Sequence, residues 1–279
     1  MRTCWVTGAG GLIGAALMQS AGKPDGWIAV GLSRPDLELT DRAAVEQRFR
    51  AEKPDALIHC AAMSRSPQCQ ADPTRARLWN VEVTRHLTEL FAGRRLIFLS
   101  TDLVFDGAAG GYAEEAPVRP LSFYAETKVE AEGWVRRDPS HLVVRTSLNH
   151  GTSPTGDRGF NEEMANAWAA GRTLKLFTDE FRTPIPAQST ARALWELLSR
   201  PEGGVLHVAG AERLSRWEIG LHLARSRGGG LSPMEPGSLR DYQGAPRAPD
   251  TSLDCRRAQA LLTFPLPRYS EWLSGGQQG

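Results

Sequence analysis

The sequence predicts an α/β protein, with a doubly wound parallel sheet and a smaller C-terminal lobe. Three observations carry this. Short apolar runs alternate with amphipathic stretches through the first half of the 279 residues, the pattern of strands joined by covering helices. A glycine-rich turn follows the first run and opens the first helix. Beyond about residue 150 the alternation loosens, and Gly, Pro and Arg become frequent at 151–159 and 227–249.

Taken in order, residues 3–6 read as a strand and 12–20 as a helix. Residues 27–32 are a second strand, and 41–52 a helix with Thr40 as its expected N-cap. A third strand at 56–60 precedes one long helix over 74–92. A fourth strand spans 96–100, a helix 122–137 and a fifth strand 142–146. Right-handed crossovers place the loops after these strands along one edge, where ligands bind. A helix at 189–199 and a strand at 205–208 still look like sheet framework. The expected division is therefore a main domain over 1–150, rejoined by 185–209. A smaller lobe is expected from 151–184 and 210–279. The tail at 275–279 is expected to fray.

Composition narrows the classes. Thirty-three basic against 32 acidic residues leave a charge of +1, which argues against a nucleic-acid partner. No apolar run approaches the length of a membrane span. The few residues before the first strand leave no room for a signal peptide. Cys4, Cys60, Cys69 and Cys255 show no CxxC spacing, so buried thiols in a reducing cytoplasm are expected, with neither disulfides nor zinc. Only four basic residues are Lys, and there are only four Tyr.

The glycine-rich turn has the spacing GxxGxxG. Gly8 permits a tight turn, and Gly11 lets a pyrophosphate reach the amides that Leu12 and Ile13 bring to the helix N-terminus. Gly14 lets the helix lie close. This predicts a Rossmann-type dinucleotide site. The second strand ends at Ser33-Arg34. A hydroxyl and a guanidinium there suit a 2′-phosphate, favouring NADP over NAD, although a surface Ser-Arg pair would look the same.

Tyr124 and Lys128 stand four residues apart on one predicted helix face. A cation beside a phenol favours the phenolate and brings proton exchange with a carbonyl or alcohol into range. With four of each residue type in the chain, that spacing is expected by chance far less than once. Thr101 or Ser100, ending the fourth strand, can supply a hydroxyl to polarise a carbonyl.

In that order, these features resemble an extended short-chain dehydrogenase/reductase, and within it the dTDP-4-dehydrorhamnose reductase-like group. Residues 100–107, 120–128, 144–147, 179–184, 206–210 and 252–254 carry the likeness. The resemblance implies Thr101, Tyr124 and Lys128 as the catalytic three. It implies Glu38 and Leu39 near the adenine, Ala61 and Ala62 on the nicotinamide side, and Asn80 as the superfamily's helix Asn. Asp102, Val104, Phe105, His150, Asn161 and Arg182 are the expected substrate contacts. The implied reaction is NADPH-dependent reduction of a 4-keto group on a nucleotide-linked deoxysugar, in a protein for which a homodimer is open.

Two departures lie on the sugar side. Leu148-Asn149-His150 stands where the rhamnose enzymes have an aromatic stretch, and Met63 replaces an aromatic after Ala62. Two alternatives stay open. One is an epimerase or dehydratase, although Asp102-Leu103 supplies no clear extra acid–base pair. The other is a cofactor-binding regulatory subunit, as in the methionine adenosyltransferase β-subunits. Arg182 is expected to reach a substrate phosphate or to pair with Asp179 and Glu180. His207 reads as a satisfied core residue, the eight Trp as packing, and Glu114-Glu115 as a solvent-facing loop.

Overall fold

The computed structural model describes residues 1–20, 22–228 and 232–275. Most of the tail expected to fray lies outside the described residues. The first half runs β1 (Arg2–Thr7), α1 (Leu12–Gln19), β2 (Trp27–Leu32), α2 (Arg42–Glu52) and β3 (Ala56–His59). Three short helices follow, α3 (Ser66–Ala71), α4 (Pro73–Arg77) and α5 (Val83–Leu90), then β4 (Arg95–Thr101), α6 (Phe123–Val135) and β5 (Leu142–Thr146). The remainder is β6 (Asn149–His150), α7 (Phe160–Ala169), β7 (Leu174–Phe177), β8 (Phe181–Arg182), β9 (Ile185–Pro186), α8 (Ala187–Leu198) and β10 (Gly204–His207). It ends with β11 (Leu214–Ser215), α9 (Arg216–Ser226), β12 (Met234–Gly237), α10 (Arg256–Leu261) and α11 (Tyr269–Ser274).

Six strands form a parallel sheet in the order β10-β5-β4-β3-β1-β2, so the predicted fold class holds. The order reverses at β1, which opens a crevice at the carboxyl ends of β1 and β3. Strand alternation sends side chains to two cores. Cys4, Val6, Ile58, Ile97 and Val144 meet α1 and α8 on one face, including the fully buried Trp195. Trp5, Leu57, Phe98 and Val143 meet α2, α5 and α6 on the other. A third cluster joins Phe160, Met164, Trp168, Ile219 and Tyr269 outside the main sheet.

Local chemistry moves two expected boundaries. Asp41, not Thr40, caps α2 by accepting the Ala44 amide at 3.1 Å. Thr40 donates its hydroxyl to Glu38 at 2.7 Å instead. The long helix expected over 74–92 is interrupted. Asp72 accepts the Arg75 amide at 3.0 Å and Pro73 opens a new helix, after which Leu78–Glu82 form a π-helical turn. The extra residue of that turn, a feature often found at functional sites, places Asn80 inside at 1% exposure.

No helix of the described residues is long and apolar enough to cross a membrane. All four cysteines are free thiols. Glu114 departs from the solvent-facing expectation. It is buried, and its carboxylate accepts the His207 amide at 3.1 Å. His207 is itself fully buried, with Nδ1 3.0 Å from the Tyr112 carbonyl.

Candidate active site

The glycine turn is built for close backbone approach. Gly8 has φ +71°, and a Cβ there would lie 2.8 Å from the Ala61 nitrogen. A Cβ on Gly14 would lie 2.1 Å from the Gly8 carbonyl oxygen, so α1 can only pack this way on glycine. Gly11 is the N-cap of α1 and offers no side-chain acceptor. The helix therefore presents its first amides, with their positive end of the dipole, to the crevice. A dinucleotide pyrophosphate fits this donor set. Leu12 packs its side chain under Gly151 and Gly159. Ile13 packs against the main core. Ala61 donates its amide to Thr7 at 3.4 Å, and Ala62 follows beside it. Glu38 is exposed and engaged with Thr40. Leu39 is a core residue at 5% exposure, beside Trp5, Leu37 and Val45. The turn before α2 tucks its side chain into that core.

At the end of β2 the two candidate phosphate contacts already have partners. The Ser33 amide donates to the Asp36 carboxylate at 2.9 Å, and the Ser33 hydroxyl donates to the same oxygen. The Arg34 guanidinium lies 4.7 Å from the Trp79 ring centroid, an arrangement that leaves its N–H edge free.

The three candidate catalytic residues converge from two elements. Ser122 caps α6 by accepting the Ala125 amide at 3.3 Å, which starts the helix at Phe123 and buries Tyr124 and Lys128 on one face. The last residue of β4, Thr101, lies beside the phenol. Ser100 points the other way and donates to Glu132 at 2.6 Å. Strand alternation thus separates the two hydroxyls. Burial pushes the Tyr124 phenol well above its usual range, as do the nearby Asp102 and Cys69, while the Thr101 hydroxyl acts in the opposite sense. Lys128 does not bring the phenol down here. Its ammonium donates to the Leu99 carbonyl at 2.8 Å and sits 3.9 Å over the Phe98 ring. Burial pushes Lys128 down to about 7, opposed by Glu132 and Cys60.

The expected substrate residues divide. Val104 and Phe105 are fully buried and form core with Tyr112, on which Phe105 stacks at 4.1 Å. Neither faces a ligand, because the chain turns inward through a 3-10 turn at Asp102–Val104. Asp102 is buried and accepts the hydroxyls of Ser147 and Thr251, each at 2.8 Å. Arg182 is also buried. It donates to the Phe181 and Ala248 carbonyls at 2.7 and 3.1 Å and to Glu180 at 2.9 Å, with Asp102 3.7 Å away. It pairs with Glu180 but not with Asp179, which accepts from Ser238 and Leu239. His150 shares a 2.7 Å hydrogen bond with Tyr269, and burial pushes it down to about 4. Asn161 pairs with both backbone groups of Gly151, at 3.2 and 2.9 Å. His150 and Asn161 line a cavity of about 510 Å³ between α7, α9 and α11, with Asn166 and Arg227.

Sequence reasoning missed several groups around this site. Glu132 and Arg145 form a buried bidentate pair at 3.0 and 2.7 Å. Glu132 follows Lys128 by four residues, so the same spacing that marks Tyr124 and Lys128 points to it. His59 is fully buried between Thr7 at 2.7 Å and Thr84 at 3.1 Å. Thr84 donates to the Asn80 carbonyl at 2.7 Å, so the network assigns the His59 proton to Nε2. Asn80 itself ties Met63 to Thr127 through bonds of 2.8, 3.0 and 2.9 Å. It thereby fixes the loop after β3 against α6.

Comparison with known proteins bears on this arrangement. A probable low-salt glycan biosynthesis reductase of Haloferax volcanii is 29% identical over 97% of this chain and 95% of its own length. The methionine adenosyltransferase 2 subunit beta of Xenopus laevis is 27% identical over 93% of this chain and 82% of its own. The solved dTDP-4-dehydrorhamnose reductase of Bacillus anthracis, in complex with NADP, superposes with a TM-score of 0.89 at 21% identity, covering 99% of this chain and 98% of that one. The family model described as the RmlD substrate binding domain matches residues 1–275. The chain belongs to that family, the dTDP-4-dehydrorhamnose reductase-like branch of the extended short-chain dehydrogenase/reductases.

Proposed function

We propose that this NAD(P)-dependent oxidoreductase reduces a 4-keto group on a nucleotide-linked deoxysugar, with NADPH preferred. The observation that carries the reading is the placing of Tyr124 and Lys128 on one buried face of α6, with Thr101 beside the phenol, at the sheet edge served by the uncapped N-terminus of α1. A bound nicotinamide supplies a hydride. Thr101, whose hydroxyl donates to Asp102 at 3.2 Å in this structure, would turn that proton to the carbonyl oxygen to orient it. Tyr124 gives that oxygen a proton. A buried phenol held above its usual range keeps its proton at neutral pH, which suits the reductive direction. Lys128, compact and next on the same helix face, is the residue to hold the ribose hydroxyls, which would draw its ammonium from the Leu99 carbonyl toward the phenol. Asp102 stays with Ser147 and Thr251 and orients the Thr101 turn.

Small-molecule sugar nucleotides are the proposed substrates, and the protein's place is the cytoplasm. The smaller lobe, residues 151–184 and 210–279, is the proposed substrate-binding part. A second reading, a cofactor-binding regulatory subunit, draws on the likeness to the methionine adenosyltransferase subunit. One experiment separates them: NADPH consumption against a panel of 4-keto sugar nucleotides and simpler ketones. Turnover with a sugar nucleotide supports the reductase. NADPH binding without turnover on any member moves the reading to the regulatory subunit.

A further inference from the structure

The turn after β2 carries charges of both signs around one pair of donors. The Ser33 amide and hydroxyl both point to the Asp36 carboxylate. The turn is closed by the Asp36 and Leu37 amides donating to the Ser33 carbonyl at 3.0 and 3.1 Å. Arg48 steadies it by donating to the Asp36 carbonyl at 3.0 Å. Arg34 stands next in the chain, its guanidinium laid on Trp79. An amide, a hydroxyl and a guanidinium edge at a β2 terminus form an anion-binding corner. In this structure the anion is the protein's own carboxylate.

We propose that Asp36 competes with the cofactor's 2′-phosphate for the Ser33 donors. Together with Arg34 on Trp79, it would thereby set how far this chain discriminates NADP from NAD. The inference rests on the reading of the chain as a dinucleotide-dependent reductase. A phosphate can take the Ser33 donors only after the carboxylate leaves them, and the two anions repel. The 2′-hydroxyl of NAD makes no such demand, since it can donate to a carboxylate in place. Asp36 and Arg34 therefore pull selectivity in opposite directions. The Ser33 hydrogen bonds hold the Asp36 carboxyl below its usual range, so the competing charge persists at neutral pH.

The test is calorimetric binding of NADPH and NADH to the full chain, the Asp36→Asn variant and the Arg34→Ala variant. Asparagine keeps an acceptor for Ser33 and removes the charge, at an exposed position where folding is not at stake. NADPH should tighten roughly five- to tenfold in Asp36→Asn while NADH stays level or weakens. Arg34→Ala should lower NADPH affinity and spare NADH. Equal shifts for both cofactors in Asp36→Asn, or none, would overturn the proposal and leave the dinucleotide reading intact. A wild-type chain that binds neither cofactor would overturn both.

Discussion

Replacing Glu132 with Gln should cost far more than the loss of an exposed charge would. Glu132 and Arg145 are each 3% exposed in their side chains. The carboxylate receives Arg145 Nε at 3.0 Å, Arg145 Nη2 at 2.7 Å and the Ser100 hydroxyl at 2.6 Å. Glutamine offers one acceptor oxygen and turns an NH₂ toward the remaining donors. Arg145 would lose its countercharge and keep at most one bond to the amide oxygen, besides the Glu114 carbonyl at 3.3 Å, His207 at 3.4 Å and the Phe105 face at 5.2 Å. A buried charge stripped of its partner costs about 3–5 kcal/mol, a large share of a total near 5–15 kcal/mol. At about 2–4 °C per kcal/mol for a chain of this size, Tm should fall by roughly 6–20 °C. Adding Arg145→Met removes the stranded charge, so the double variant should recover about 2–4 kcal/mol relative to the sum of the singles. Urea unfolding of all four proteins completes the cycle. A single-variant cost below about 1 kcal/mol, or strict additivity, would refute the idea that this pair locks β4, β5 and α6 together.

Tyr124→Phe should lower turnover by about 10²–10⁴-fold or more while cofactor affinity stays within a few-fold, read by single-turnover kinetics and calorimetry. Retained activity would displace Tyr124 as the acid. Lys128 is pushed down to about 7 in the folded protein, so between there and the ordinary lysine value near 10.4 the unfolded chain binds more protons. Its contribution to stability therefore rises with pH across that window. Lys128→Met should flatten the rise by up to about 1.4 kcal/mol per pH unit, measured by urea unfolding of the cofactor-free protein at pH 7, 8 and 9. Parallel profiles would contradict the depressed ammonium. Gly14→Ala, with its Cβ 2.1 Å from the Gly8 carbonyl, should destabilise by about 1–3 kcal/mol and weaken dinucleotide binding. Gly133→Ala sits inside α6 with nothing within 4 Å of the new methyl, and should stabilise by about 0.5–1 kcal/mol.

Features with a short-range cause were legible from the chain alone. Short continuous apolar runs marked the sheet strands, because burial on both faces needs them. The glycine spacing marked the turn because Gly8 and Gly14 stand where a Cβ meets backbone. The Tyr124–Lys128 interval marked one helix face, because a turn of helix repeats near four residues. Reach across elements was not legible. Whether Ser100 or Thr101 faces the crevice depends on where α6 packs, and Glu132 decides it by taking Ser100. Val104 and Phe105 look like pocket residues beside Asp102, but Tyr112 draws Phe105 into a stack. The sequence left Arg182 open between a substrate phosphate and its neighbouring carboxylates, and the fold pairs it with Glu180 and surrounds it with Asp102 and two carbonyls. Asp36 had no visible role until the turn folded it onto Ser33. Local sequence determined the elements and the spacing of reactive groups on them, because those follow from backbone geometry over a few residues. Only the tertiary structure decided which polar groups remain free for a ligand. A buried donor or acceptor must find a partner, and that partner is often tens of residues away in the chain.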